Sequence, residues 1–159
     1  MRPFLLIFGT VLLQGLFSGL LPDFLAPPDL LFLLALGLVA PLPPIGGLLA
    51  AFGIGLLQDL LSAGFLGLHA LGLLLAAYLF HWLTRVLRWE EPLGRTVVLL
   101  GCFAAKWLGY LVVSYWLRSE PFGVQAVLGI FVSELALTLV VAVYFLQIAE
   151  RVLGGRRLE

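Results

Sequence analysis

Charge is scarce in this chain: Asp, Glu, Lys and Arg make up 11% of its 159 residues, where a soluble domain carries about 25%. Asparagine is absent and Lys106 is the single lysine. A sequence so poor in charge cannot cover a surface that faces water, which excludes an ordinary soluble domain. Nine basic residues balance nine acidic ones. No basic face for nucleic acid is implied, and the information lies in where the charges fall. Cys102 is the one cysteine and sits in an apolar run, which excludes a disulfide framework or a zinc site and leaves it as a small packing residue. Catalytic patterns are missing too: there is no H-E-x-x-H, no G-x-S-x-G and no phosphate-binding loop. Ser62-Ala63-Gly64 lacks the glycine two residues before the serine. The expectation is a protein without enzymatic activity, cofactor or metal.

What fills the sequence instead is hydrocarbon. Hydrophobic residues account for 62% of the chain and the mean hydropathy is +1.14, so lipid must be the solvent. A spanning helix needs about 20 mostly apolar residues. Phe4–Leu21, stopped by Pro22-Asp23, is the first candidate; Leu66–Leu83, Thr96–Leu117 and Phe122–Ile148 are the last three. The first follows Arg2 as a signal peptide would, but it is long for a signal core and further apolar runs follow, so it is read as a retained helix. Between Pro27 and Leu61 lie two pieces, Asp29–Ala40 and Ile45–Leu61, divided by Pro41-Leu42-Pro43-Pro44, through which no regular helix continues. At helical rise the first piece reaches only ~18 Å of a ~30 Å core. It is either a short span lengthened at Pro27-Pro28 or one arm of a re-entrant hairpin. The expected fold is all-α, a single polytopic membrane domain of about six helices.

Cytoplasmic loops accumulate Lys and Arg, and that bias orients the chain. With six segments and the N-terminus inside, Arg2, Arg85, Arg88, Arg95, Arg151, Arg156 and Arg157 all fall on the cytoplasmic side, and only Arg118 falls outside. One kinked span over Asp29–Leu61 would move the Arg85–Arg95 cluster outside and is rejected. Both termini are then cytoplasmic. Trp82 and Trp89 fall near the inner interface and Tyr115-Trp116 near the outer one, where aromatic belts form.

Small residues four apart let membrane helices approach closely. Gly15 and Gly19 form such a ridge in the first helix, Gly47, Ala51 and Gly55 in the third, and Gly101, Ala105 and Gly109 in the fifth. Each ridge serves packing within the chain or docking of a partner helix; the stripe itself does not name its neighbour. Intramembrane charge costs about 2.5–3.5 kcal/mol on insertion scales. Lys106 lies roughly 15 Å into the fifth helix from the inside, and Glu134 roughly 18 Å into the sixth from the outside. Both are near the midplane, so an ion pair facing the bundle interior is expected, either as a structural tie or as a relay, with the tie favoured. Asp59 and His69 are expected near the outer interface. Either they hydrogen-bond to each other, or Asp59 caps the turn by accepting from backbone N–H groups near Ser62. His69 and His81 stand about 120° and ~18 Å apart on one helix and cannot share a metal.

Several of these residues recur in a recognisable order. Pro28-Asp29-Leu30-Leu31 leads into a short apolar helix. Gly53-Ile54-Gly55-Leu56-Leu57-Gln58-Asp59-Leu60-Leu61-Ser62 follows, then Leu66-Gly67-Leu68-His69-Ala70-Leu71 and a helix carrying Tyr78-Leu79. This order resembles the rod shape-determining MreD family. Pro28 suits a helix start, Asp29 complements the positive end of that helix, and Ser62, Gly64 and Gly67 fall in the turn. The loop at Pro41–Pro44 carries no arginine, whereas a basic residue is expected in such a cytoplasmic loop. The resemblance implies a non-catalytic scaffold in the bacterial inner membrane, part of the machinery that elongates the cell wall. It further implies MreC as the direct partner, with RodA and a monofunctional penicillin-binding transpeptidase, MreB indirectly, and membrane lipid around it. The implied fold is similar to the six-helix substrate-binding subunits of energy-coupling-factor vitamin transporters. Such a transporter subunit is the alternative function, although the outer loops are short and poor in the convergent polar groups that a polar vitamin needs. On the scaffold reading, the Gly15/Gly19 ridge or the groove beside Asp59 receives the transmembrane helix of MreC.

Two measurements check the orientation and the pair. Reporter fusions after Arg88 and at the C-terminus are expected to register cytosolic, and a periplasmic signal from either overturns the topology. A double-mutant cycle of Lys106→Met and Glu134→Gln is expected to give non-additive losses of detergent stability. Additive losses mean no contact.

Overall fold

In a computed structural model of the chain, residues 2–22, 25–62, 65–117 and 124–153 are described. Six α-helices follow one another: α1 (Arg2–Leu20), α2 (Leu30–Val39), α3 (Pro44–Leu61), α4 (Leu68–Leu83), α5 (Pro92–Trp116) and α6 (Val124–Leu153). Asp23, Gly64, the outer connection 118–121, the start of the expected sixth segment at Phe122, and Arg156 and Arg157 lie outside the described residues. Helices α1, α3, α5 and α6 are long and apolar enough to cross a membrane, whereas α2 and α4 are shorter apolar helices.

Proline sets several boundaries. Residues 41–43 separate α2 from α3, and Pro44 and Pro92 open α3 and α5, because the first helical position needs no N–H and its φ is already right. The fifth helix accordingly starts at Pro92 and not at Thr96. The start of α2 also differs from expectation. Asp29 is its N-cap, with Oδ1 accepting the Phe32 N–H at 2.9 Å, so Pro28 stands outside the helix rather than opening it.

The chain forms two compact units, 1–37 with 122–159, and 38–121. In the first, α1 packs on α6. Leu5 and Leu6 line one cavity with Arg151 and Val152, so the two helices are antiparallel and their terminal ends share one end of the unit. The stretch from Ala26 to Gly37 runs the same way as α6: Ala26 bonds to Ser133, Asp29 bonds to Thr138, and Gly37 abuts Ala149. Ser133 to Ala149 measures ~24 Å at helical rise. Ten helical residues are too few to cross a bilayer, but this stretch follows α6 for most of a ~30 Å core. The side chains of α2 are almost wholly buried, Leu33 and Leu34 completely so.

In the second unit α4 packs against both α3 and α5. Glycine makes these approaches close. A Cβ on Gly55 would strike the backbone of Ala70, one on Gly47 would strike His81, and Gly109 lies against Gly72 of α4. Gly101 faces Leu83, and Ala51, Ala70, Ala76 and Ala77 have no exposed surface. Two of the three expected small-residue ridges are therefore used inside this unit. The third is not: Gly15 and Gly19 have no described neighbour within 4 Å of a Cβ built on them.

Candidate functional site

Two buried carboxylates organise the polar chemistry, one in each unit, and both stand where a short helix begins. A helix start leaves its first N–H groups without intrahelical acceptors. In hydrocarbon no water can supply them, so side chains must.

In the first unit the start of α2 is held from three directions. Asp29, 2% exposed, caps the helix as described, while its own N–H donates to Thr138 Oγ1 of α6 at 2.9 Å. The Leu30 N–H donates to Gln14 Oε1 of α1 at 2.8 Å, and the Ala26 N–H to Ser133 Oγ at 3.3 Å. Pro27 and Pro28, between those donors, have no N–H to satisfy. The sequence reading singled out Pro28 and Asp29 but missed Gln14, Ser133 and Thr138. Thr10, Gln14 and Ser18 do stand four apart along an otherwise apolar α1, where isolated polar groups need partners, but that spacing names no partner, and nothing comparable marks Ser133 or Thr138.

In the second unit Asp59, near the end of α3, caps α4 across the intervening turn. Its side chain is wholly buried. Oδ2 accepts the N–H groups of Gly67 at 2.8 Å and Ala70 at 3.1 Å, and Oδ1 accepts the His69 N–H at 2.8 Å. Gly67, the N-cap of α4, has φ +99 and no side chain with which to cap its own helix. It is glycine because this left-handed backbone strains any residue bearing a Cβ. The remote carboxylate replaces the missing cap and places negative charge at the positive end of the α4 dipole. His69 Nδ1 also stands 2.8 Å from Asp59 Oδ1. An ionised carboxylate only accepts, so the imidazole proton is assigned to Nδ1. The His69 ring tilts against Tyr110 with centroids 5.7 Å apart.

The expected hydrogen bond between Asp59 and His69 is present, whereas the expected cap of the turn near Ser62 is not. The capped N–H groups belong to Gly67, His69 and Ala70, not to the turn near Ser62, because the Ser62 N–H is taken by Gln58 O. Ser62 Oγ instead donates to the Asp59 carbonyl at 3.2 Å. Gly55 completes the joint by admitting the Ala70 backbone one turn before Asp59. Lys106 is 5% exposed in α5, with its ammonium 5.0 Å from the Phe103 ring. Glu134 is half-buried in α6, in the other unit. His69 and His81 are both on α4. What these carboxylates do chemically is hold backbone: each spends its oxygens on N–H groups that a helix start would otherwise strand.

The model of a protein family described as rod shape-determining protein MreD matches residues 2–150 of the chain. Among curated proteins and among solved structures nothing matches it.

Removing the Asp59 carboxylate strands three backbone donors, each costing about 1–3 kcal/mol when buried. Asp59→Ala is expected to lose at least ~3 kcal/mol by that count. Asp59→Asn, which keeps one acceptor oxygen, is expected to lose less. Thr138→Val, which keeps shape and removes the acceptor for Asp29, is expected to lose ~1–2 kcal/mol. Unfolding in mixed micelles, followed by tryptophan fluorescence, measures all three. Wild-type stability of Asp59→Ala would contradict the capping role.

Proposed function

The chain belongs to the MreD family of rod shape-determining membrane proteins, and on that premise we propose that it is a non-catalytic scaffold of the cell-wall elongation complex. Its direct partner in this reading is MreC, whose transmembrane helix docks on it. RodA and a monofunctional penicillin-binding transpeptidase are organised through that contact, and MreB indirectly. The open Gly15/Gly19 face of α1 carries the proposal. The ridges on α3 and α5 are filled by α4, and the groove beside Asp59 is closed by the Ala70 backbone. Of the three ridges, that leaves the one on α1 unfilled among the described residues, flanked by Phe8, Leu12, Leu16 and Leu20, each more than half exposed.

The proposed setting is the bacterial inner membrane with both termini cytosolic. The shared end of α1 and α6 in the first unit supports a common side for them, and the arginine distribution supports that side being the cytosol. The pairing of Lys106 with Glu134 is likewise kept as a proposal. Family membership weighs against the vitamin-transporter alternative.

A photo-crosslinking residue at Leu12 or Leu16, in cells growing as rods, is expected to capture MreC, and the same residue at Tyr144 of α6 is not. Gly15→Leu with Gly19→Leu is expected to abolish co-purification of MreC while the protein stays in the membrane. MreC captured from Tyr144 and not from α1 would overturn the assigned surface.

A further inference from the structure

The short connection between α4 and α5 bounds a cavity of ≈ 400 Å³, and its chemistry is unlike the rest of the chain. Arg85 and Arg88 line it, with Thr84 and Glu90 beside them and Ala40 of the α2–α3 connection opposite. His81 lines it too, its Nε2 turned against Gly47. The geometry points to this cavity as a binding site for the phosphate of an anionic membrane lipid.

The wall is rigid before any ligand arrives. Backbone bonds from Thr84, Val86 and Leu87 to Phe80 and Leu83 continue the last turn of α4, and the Glu91 N–H closes onto Arg88 O at 3.2 Å. Trp89 packs edge-on against Phe80 with centroids 5.0 Å apart. Arg95 lies over the Trp89 ring at 5.1 Å, and its Nε donates to the Trp89 carbonyl at 3.2 Å. Gly94 admits the Arg88 carbonyl where a Cβ would collide. Arg95 therefore braces the wall, and the cavity is left with the other two guanidiniums.

Those two differ. Arg88 is exposed and 3.5 Å from Glu91 Oε1, a solvated pair of little strength. Arg85 makes no side-chain hydrogen bond or ion pair among the described residues. A guanidinium presents a fork of donors matched to phosphate oxygens, and Thr84 Oγ1, already donating to Phe80 O at 2.8 Å, is free to accept from a headgroup hydroxyl. Glu90 opposes the anion, which makes it a useful control.

Position argues for a lipid as the source of that phosphate. The cavity opens at the last turn of an apolar helix, where headgroups lie if α4 is in the bilayer. Trp82 and Val86, 56% and 77% exposed, offer an apolar flank for acyl chains. Basic pockets at the cytoplasmic ends of membrane helices recognise anionic headgroups in this way, and the arginine bias expects this connection on that side.

The full-length protein in neutral detergent is titrated with short-chain phosphatidylglycerol, short-chain phosphatidylcholine and inorganic phosphate, and bound mass is read by native mass spectrometry. Phosphatidylglycerol is expected to bind at least roughly tenfold more tightly than phosphatidylcholine, with Arg85→Ala removing that preference. Arg88→Ala is expected to weaken binding less, and Glu90→Gln to strengthen it. If Arg85→Ala lowers the yield of folded protein, Glu90→Gln carries the test. Equal binding of the two lipids, or no effect of both Arg85→Ala and Glu90→Gln, overturns the site. Inorganic phosphate binding as tightly as phosphatidylglycerol overturns the lipid as the source.

Discussion

A backbone N–H group in hydrocarbon has no water to fall back on, and each one left unpaired costs several kcal/mol. Continuous helices meet that constraint by themselves. This chain breaks its helices before α2 and before α4, and at both breaks a buried carboxylate takes up the stranded donors. Asp29 does so locally for α2, and Asp59 does so from the preceding helix for α4. The non-helical stretch ahead of α2 is tolerated beside α6 because hydroxyls of Ser133 and Thr138 meet its amides and two prolines have none to offer.

The same joints explain where glycine and alanine are spent. A carboxylate on α3 reaches the start of α4 only if the two helices touch at the backbone, and Gly55 against Ala70 permits that. Along the rest of α4, Gly47, Gly72, Gly101 and Gly109 extend the close approach to both neighbours. Without a hydrophobic force between helices in lipid, such contact does much of the holding. An unfilled ridge on α1 is then a contrast within one molecule, and that contrast gives the docking proposal its footing.

Exposed polar groups follow a different logic from buried ones. Asp29, Asp59 and Thr138 are buried and committed to backbone. Around the α4–α5 connection Arg95 is held by the Trp89 ring and carbonyl, Arg88 pairs with Glu91, and Arg85 is left uncommitted among the described residues. Committed groups build the fold, and uncommitted ones are where a ligand can act.

Much was legible before any coordinates. Hydropathy and length fixed the membrane class and the number of helices, because span length follows from rise per residue. Proline marked the break at residues 41–44, because a missing N–H and a locked φ are local properties. Asp29 and Asp59 stood out because charge in an oily run demands a partner. The partners themselves were not legible: Ser133 and Thr138 lie more than a hundred residues from the amides they accept, and Gln14 reads as an ordinary polar residue until α2 begins beside it. Nor could a repeated small-residue stripe say whether it was filled. Composition and rise are properties of one segment, whereas the acceptor for a given N–H and the occupant of a given groove depend on which helix comes alongside, and only the folded chain decides that.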